Sequence, residues 1–315
     1  MRLRLFLGPI MIALLLAGLW ADEALTSVAM PGWAVDAARA VLPADWSDSV
    51  PLTWPPGTVV FAVVLLLAVL ASREVAALLS DKGILASKRI STFAAVLGLL
   101  VSCIIPAGIS AVDAVAAVSA SAMIVLMSSL LFFSRHRTVE GVVAATGGAL
   151  LSYVYLGLMF GFLLAIRREH TAWALLWVLI VTKACDIGAY FTGKAIGKHK
   201  LIPWLSPGKT WEGLIGGVLF SAIVGFVAWP LVIGHVQGST QIQLPGAWIG
   251  ALAAIFFALI GQAGDLMESM LKRDAGVKDS GKAVPGFGGI LDVIDSPLLV
   301  GPFAYWWLRW IDQQL

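Results

Sequence analysis

The sequence predicts an all-α polytopic integral membrane protein, with about nine transmembrane helices and its N-terminus in the cytoplasm. Three observations carry that prediction. Of 315 residues, 59% are hydrophobic and only 13% charged, and the mean hydropathy is +0.91. Soluble domains run at about 45–50% apolar and about 25% charged. Nine stretches approach the roughly 20 apolar residues that a spanning helix needs. Lys and Arg gather in alternate loops, the asymmetry that sets orientation in a bilayer. This composition excludes a soluble domain, a disordered chain and a collagen-like repeat. A net charge of +2 leaves no nucleic-acid footprint, so no nucleic acid is expected as a partner.

Taken in order, the spans are expected at about 5–20, 57–78, 91–109, 114–133, 141–165, 172–192, 213–234, 246–264 and 291–311. The first is short and follows Arg2 and Arg4, which is a signal-peptide pattern. A cleavage site near Leu19-Trp20-Ala21 is poor because Leu19 is not small, so a retained helix is favoured. The loop near 21–56 holds Asp22, Glu23, Asp36, Asp45 and Asp48 with several Trp and Pro, and is expected outside, lying on the membrane face. With the N-terminus inside, the inside segments hold 16 of the 21 cations, among them Lys82, Lys88, Arg89, Arg135, Lys209 and Lys272. The outside segments hold Arg39, Arg167, Arg168 and Arg309, and Lys183 lies within a span. Arg167-Arg168 is the one local violation. Many of the 13 Trp fall at span ends, where an amphipathic ring suits the interface. The two cysteines, Cys103 and Cys185, sit in apolar runs and read as packing residues.

The chain divides by chemistry. Residues 1–170 carry few charges inside their spans and read as N-terminal transmembrane helices. Residues 171–315 read as the catalytic transmembrane region, because they hold almost all the polar residues that need explaining. A charge at the centre of a span costs about 2.5–3.5 kcal/mol on insertion scales, so it needs a partner, water or a function.

Four groups stand out. Lys183, Asp186 and Tyr190 share one helix face at i, i+3 and i+7. They form either a self-paired bridge or the wall of a cavity. Next comes Gly193-Lys194, Gly197-Lys198 and then Ser206-Pro207-Gly208-Lys209-Thr210-Trp211-Glu212-Gly213. It fails as a P-loop, since Pro203 stands where Gly is required and no strand is expected before it. Ser206 or Thr210 can still cap the seventh span, whose N-terminus suits an anion beside Lys209. Gly213, Gly216 and Gly217 suit close helix packing. Asp265, Glu268 and Lys272 share a face at i, i+3 and i+7, followed by Arg273. Two carboxylates one turn apart seat a hard divalent cation, and the cations beside them suit a phosphate bound to it. Finally, Lys278-Asp279-Ser280-Gly281-Lys282 leads through the turn Pro285-Gly286-Phe287-Gly288-Gly289 to Asp292, Asp295 and Ser296 at the start of the last span. Helix capping alone would explain those two carboxylates, but a second acidic pair is expected on the same membrane side. The combined inventory fits a metal-bound polyphosphate. The four His are scattered without a zinc-hydrolase spacing, and no G-x-S-x-G elbow is present.

At these residues the chain resembles the phosphatidate cytidylyltransferases, also called CDP-diacylglycerol synthases. The family signature runs Ser-x-apolar-Lys-Arg, Lys-Asp, Pro-Gly-His-Gly-Gly and Asp-Arg-x-Asp. It stands here as Ser269-Met270-Leu271-Lys272-Arg273, Lys278-Asp279, Pro285-Gly286-Phe287-Gly288-Gly289 and Asp292-Val293-Ile294-Asp295. A second block resembles the segment from Asp186 to Gly213. The resemblance covers about residues 180–296, with Phe287 in place of the family His and Val293 in place of the family Arg.

The resemblance implies transfer of the cytidylyl group of CTP to phosphatidic acid, giving CDP-diacylglycerol and pyrophosphate. It implies Asp265 and Asp292 as metal ligands, with Glu268 and Asp295 as second choices, for Mg²⁺ at two sites. It implies Lys209, Lys272, Arg273 and Lys278 on phosphates, with Ser206, Thr210, Glu212, Gly288 and Gly289 shaping the nucleotide site and Asp186 in the cavity wall. The implied partners are CTP, phosphatidic acid and the bilayer, with a homodimer as an admissible assembly. The implied location is the inner (plasma) membrane, with the active site facing the cytoplasm. Two other enzyme-like readings are a CTP-dependent polyprenol or phytol kinase, which would release CDP, and an inactive scaffold. A transporter is the alternative from another class, but the charges gather on one side and no inverted repeat is visible.

Overall fold

The fold is that of a computed structural model, and it describes residues 2–41, 51–104, 110–137, 139–236, 246–286 and 288–313. The chain runs through α1 (Arg2–Leu25), the short α2 (Gly32–Val41), α3 (Thr58–Asp81), α4 (Lys88–Ile104) and α5 (Ala111–His136). It continues through α6 (Val142–Leu151), a π-helical segment (Ser152–Leu158) and α7 (Met159–Glu169), which form one unbroken rod. Then come α8 (Ala172–Ile196), a ribbon of β1 (Lys200–Ile202) and β2 (Ser206–Thr210), α9 (Trp211–Val236), α10 (Gly246–Asp274) and α11 (Leu291–Asp312). Among the described residues seven helices are long and apolar enough to cross a membrane. The other two expected spans are also helices. However, α4 has only 17 residues, and α11 carries Asp292, Asp295, Arg309 and Asp312.

The helices start where the sequence offers a cap. Ser110 Oγ accepts from Asp113 N at 3.1 Å, and Thr171 Oγ1 from Ala174 N at 3.4 Å. α3 starts at Gly57, whose φ of +90° suits glycine. Its cap comes from a distant residue: Asp22 accepts from Gly57 N (3.0 Å), Val59 N (2.7 Å) and Val60 N (3.2 Å).

That contact also resolves the Arg167-Arg168 exception. Arg167 is buried against Asp22, lies 3.1 Å from Glu23, and donates to the His170 carbonyl at 2.9 Å. Arg168 donates to the Cys103 carbonyl at 3.0 Å. Arg167 therefore links α7 to α1 and, through Asp22, to the start of α3, while the exposed Arg168 links α7 to α4. The expected surface loop is correspondingly smaller, because Asp22 and Glu23 belong to α1. Asp45 and Asp48 lie outside the described residues.

The tightest packing joins α8 to α9. It depends on small residues: a Cβ on Gly217 would lie 2.6 Å from the Cys185 carbonyl, and one on Gly213 2.9 Å from that of Ala189. α10 packs on α9 and α11, and α11 on α7. One apolar core crosses residue 170, joining Val64 and Tyr155 to Trp177, Trp229, Phe257 and Leu298. Trp177 and Trp229 are thus core residues, with ring centroids 4.8 Å apart, while Trp20, Trp248 and Trp306 are exposed. Both cysteines are free, and Cys185 is buried.

Removing one member of a buried pair strands the other charge, a loss of about 3–5 kcal/mol. Arg167→Met should therefore lower the melting temperature of the detergent-purified protein sharply, and Asp22→Asn/Arg167→Met should recover part of the loss. Equal melting of wild type and Arg167→Met would refute this role.

Candidate active site

A cavity of about 460 Å³ lies where α8, the β-ribbon, α9 and α10 meet. Asp186, Tyr190 and Lys194 line it from α8, Lys209 and Thr210 from β2, and Gln262 and Asp265 from α10. The ribbon corrects the expectation that no strand precedes the Gly-Lys-Thr run. β2 is a strand, antiparallel to β1, with Gly208-Lys209-Thr210 inside it. A P-loop needs its Gly and Lys in a loop after the strand, so that motif stays excluded. Thr210 Oγ1 accepts from Gly213 N at 3.1 Å and caps α9.

Inside the cavity the polar side chains form a chain of contacts. Lys209 Nζ lies 2.7 Å from Asp265 Oδ2 and donates to Gln262 Oε1 at 3.0 Å. Gln262 Nε2 donates to Asp186 Oδ1 at 2.8 Å. Lys183 Nζ stands 3.4 Å from Asp186 Oδ2 and 3.6 Å from Asp295 Oδ1, so it bridges α8 and α11 rather than pairing only within its own helix. Gln262 carries little signal in the sequence, being a neutral side chain in an apolar run one turn before Asp265 on the same helix.

One oxygen from each of Asp265, Glu268 and Asp295 lies within 4.8 Å of the other two. Spacing on α10 brings the first pair together, and α11 delivers Asp295 because Gly264 leaves room. A Cβ on Gly264 would sit 2.8 Å from the Asp295 carbonyl oxygen. Glu268 is fully buried. Its Oε2 pairs with Lys272, and its Oε1 has no hydrogen-bond partner. A buried carboxylate with an orphaned oxygen, grouped with two more carboxylates, is a donor set for a hard cation with oxygen ligands. The charge count agrees. When ionised, Asp186, Asp265, Glu268, Asp292 and Asp295 outnumber their lysine partners Lys183, Lys209 and Lys272 by two.

Asp292 stands outside that trio, and its geometry gives the reason. Its Oδ1 accepts from Lys272 at 2.6 Å. Its Oδ2 accepts from Ser280 N (2.9 Å), Ser280 Oγ (2.9 Å) and Gly289 N (2.7 Å). Oδ2 is thus committed to holding the Gly-rich turn, and Oδ1 to Lys272 of α10. Gly288, at φ +109°, approaches so closely that a Cβ would lie 2.5 Å from Asp292 Oδ2. Val284 and Gly288 close the turn with reciprocal backbone bonds of 2.9 and 3.0 Å. Phe287 lies outside the described residues. Val293 packs on the apolar core, which accounts for an apolar residue there.

Two positioning residues come from the N-terminal half. Glu74, buried in α3, accepts from Ser280 Oγ (3.2 Å), Ile290 N (2.9 Å) and Leu291 N (2.9 Å). It therefore caps α11 and ties the turn to the bundle. Its only sequence signal is a carboxylate within an expected span, next to Arg73. Tyr155, in the π-helical segment, donates to the Asp295 carbonyl at 3.3 Å; single π turns often occur at functional sites.

Several expected site residues face elsewhere. Glu212 accepts from Lys198 N and His199 N and pairs with His199 Nδ1 at 2.5 Å, so it clamps the loop before β1. Arg273 donates to the carbonyls of Leu205 (3.4 Å) and Val277 (2.9 Å), fixing the ribbon to the end of α10. Lys278 is exposed, and Ser206 pairs with Ile202 at the start of β2. None of these four lines the cavity.

Membrane-spanning helices that converge on a carboxylate–lysine cluster beside a polar cavity suit chemistry on anions at a bilayer surface. The family model of the cytidylyltransferase family matches residues 49–311, and the chain belongs to that family. Among its relatives, the phosphatidate cytidylyltransferase of Bacillus subtilis (strain 168) is 39% identical over 160 residues, which cover 50% of this chain and 56% of the relative. That of Haemophilus influenzae is 42% identical over 137 residues, 42% of this chain and 45% of the relative. That of Helicobacter pylori is 41% identical over 151 residues, 48% and 52% respectively. The chain spans about half the length of the curated relatives it matches.

Glu74→Ala should free the turn without touching the cavity. Limited trypsin digestion should then cut at Lys278 or Lys282 at least several-fold faster than in the wild type. An unchanged cutting rate would refute the strap role.

Proposed function

We propose that the protein transfers the cytidylyl group of CTP to phosphatidic acid, giving CDP-diacylglycerol and pyrophosphate. The observation that carries this reading is the joining of the acidic trio to a lysine-lined cavity, in a chain of the cytidylyltransferase family. The names of the relatives supply the lipid.

The residues fit the chemistry step by step. Lys209 reaches into the cavity from β2 and contacts both Asp265 and Gln262. It can exchange that carboxylate for a phosphate of the nucleotide, while Lys194 adds positive charge at the cavity edge. Thr210 and the N-terminus of α9 supply donors for a further phosphate oxygen. The lipid phosphate is ionised at neutral pH, so its oxygen can attack the α-phosphorus without a base. A P–O bond forms there as the bond to the β-phosphate oxygen breaks, and pyrophosphate leaves with that electron pair. The main task is to hold two anions together, which fixed positive charge does best in a site that excludes water. Mg²⁺ suits the trio because its ligands are all oxygen, and when bound there it supplies the missing positive charge and Lewis acidity. Asp292 and Lys272 set the trio in place through the turn and Glu268.

Residues 171–315 form the catalytic region in this reading, and residues 1–170 enclose it and contribute Glu74 and Tyr155. The cations end on the cytoplasmic side of the inner membrane, where soluble CTP and the lipid headgroup meet.

An assay of purified protein with CTP, phosphatidic acid and Mg²⁺ tests the reading. Pyrophosphate and CDP-diacylglycerol should appear together, and release of CDP in their place would overturn it. Asp265→Asn and Asp295→Asn should each cut the rate by at least a hundredfold, or raise the Mg²⁺ needed for half-maximal rate strongly. Asp292→Asn should slow the reaction with little change in that Mg²⁺ requirement. A variant series in which Asp292, but not Asp265, alters the metal requirement would refute the ligand assignment. Lys209→Met should raise the KM for CTP about tenfold or more, since charge-assisted contacts contribute about 1.5–3 kcal/mol.

A further inference from the structure

A second cavity, of about 700 Å³, lies between the first turn of α4 and the last third of α5. It shares no residue with the site above. Lys88 and Arg89 line it from α4 and Arg135 from α5, with Ser87 and Ser128 beside them and Leu131 and Phe132 as an apolar wall. The three cations are exposed, and among the described residues no carboxylate pairs with any of them. The N-terminus of α4 adds the positive end of its dipole.

Two observations fix the position of this cavity relative to the bilayer. Lys82, in the turn between α3 and α4, pairs with Asp274 at the end of α10, so the cavity opens at the same end of the bundle as the acidic trio. α5 exposes most of its length: only 17% of its span is buried, and Ile124, Met127 and Leu131 face outward. In a bilayer, an outer face so apolar and so little buried would meet acyl chains, with the last turn of α5 towards the headgroups.

We infer that this cavity seats the anionic phosphate headgroup of a membrane glycerophospholipid, with the acyl chains lying along α5. A basic pocket between transmembrane helices at the inner face is suited to such a headgroup. Three cations with no carboxylate partner among the described residues call for an anion, and the apolar wall calls for a tail on it. Free phosphate satisfies the first need and leaves the second unmet.

The test is native mass spectrometry of the full chain in detergent, titrated with phosphatidylglycerol, with phosphatidylcholine and with inorganic phosphate. Wild type should retain one tightly held phosphatidylglycerol that phosphatidylcholine does not replace and inorganic phosphate does not displace. Each interfacial cation contributes about a fivefold factor in affinity. Lys88→Gln/Arg89→Gln/Arg135→Gln should thus weaken that binding about a hundredfold. Arg135→Gln alone, a milder change, should weaken it about fivefold. Asp265→Asn should leave it intact, which separates this site from the catalytic cavity. Unchanged retention by both cation variants would overturn the inference. So would displacement by inorganic phosphate, or equal retention of phosphatidylcholine.

Discussion

The structure depends on sharing three lysines among five buried and half-buried carboxylates. Lys272 lies between Glu268 and Asp292, Lys183 between Asp186 and Asp295, and Lys209 against Asp265 and Gln262. Each lysine joins two side chains, and most of these links cross from one helix to another or to the ribbon. The attraction has to offset a desolvation cost of several kcal/mol per ion. That is possible only where backbones come close, which the glycines of α8, α9 and α10 permit. When all five carboxylates are ionised, this network is two positive charges short. The same shortage makes it receptive to a divalent cation and, next to Lys209, to an anion carried with it.

The bundle solves a second problem in the same way at both ends. A helix that begins inside apolar surroundings must satisfy its first N–H groups. Asp22, from α1, does this for α3, and Glu74, from α3, does it for α11. In each case a carboxylate from an earlier helix caps a later one. Arg167 neutralises the first; Ser280 and backbone amides stabilise the second. The caps therefore also serve as tertiary locks. The lock at Glu74 matters for the site, because Ile290 and Leu291 immediately precede Asp292 and lie one turn before Asp295.

These features differ in how far the sequence reveals them. Spans are legible because apolar length is local, and the helix-face grouping of Asp265 with Glu268 is legible because i, i+3 spacing is geometry. The arrival of Asp295 next to them is not local: it depends on how closely α11 approaches at Gly264. Asp292 looks like a metal ligand in sequence and is occupied by four donors in space. Arg167-Arg168 breaks the charge rule on paper because a pattern of charges cannot show that Asp22 is waiting for one of them. Glu74 is the plainest case, since nothing within ten residues of it hints at a partner about two hundred residues later.

The position of the cavity follows from the same electrostatics. At the bilayer centre the carboxylates would have no route to water, and a nucleotide could not reach them. Far outside the bilayer, a lipid phosphate could not reach them. For the proposed reaction, α8, the C-terminal turns of α10 and the first turns of α11 bring the charges to one place that can serve both. The ribbon then supplies Lys209 as a strand residue. A strand holds its lysine in a fixed direction, where a mobile loop would let it wander. Fixed charge is the part of such a site that water cannot supply, because water must reorient as charge moves between phosphates and a preset ammonium does not.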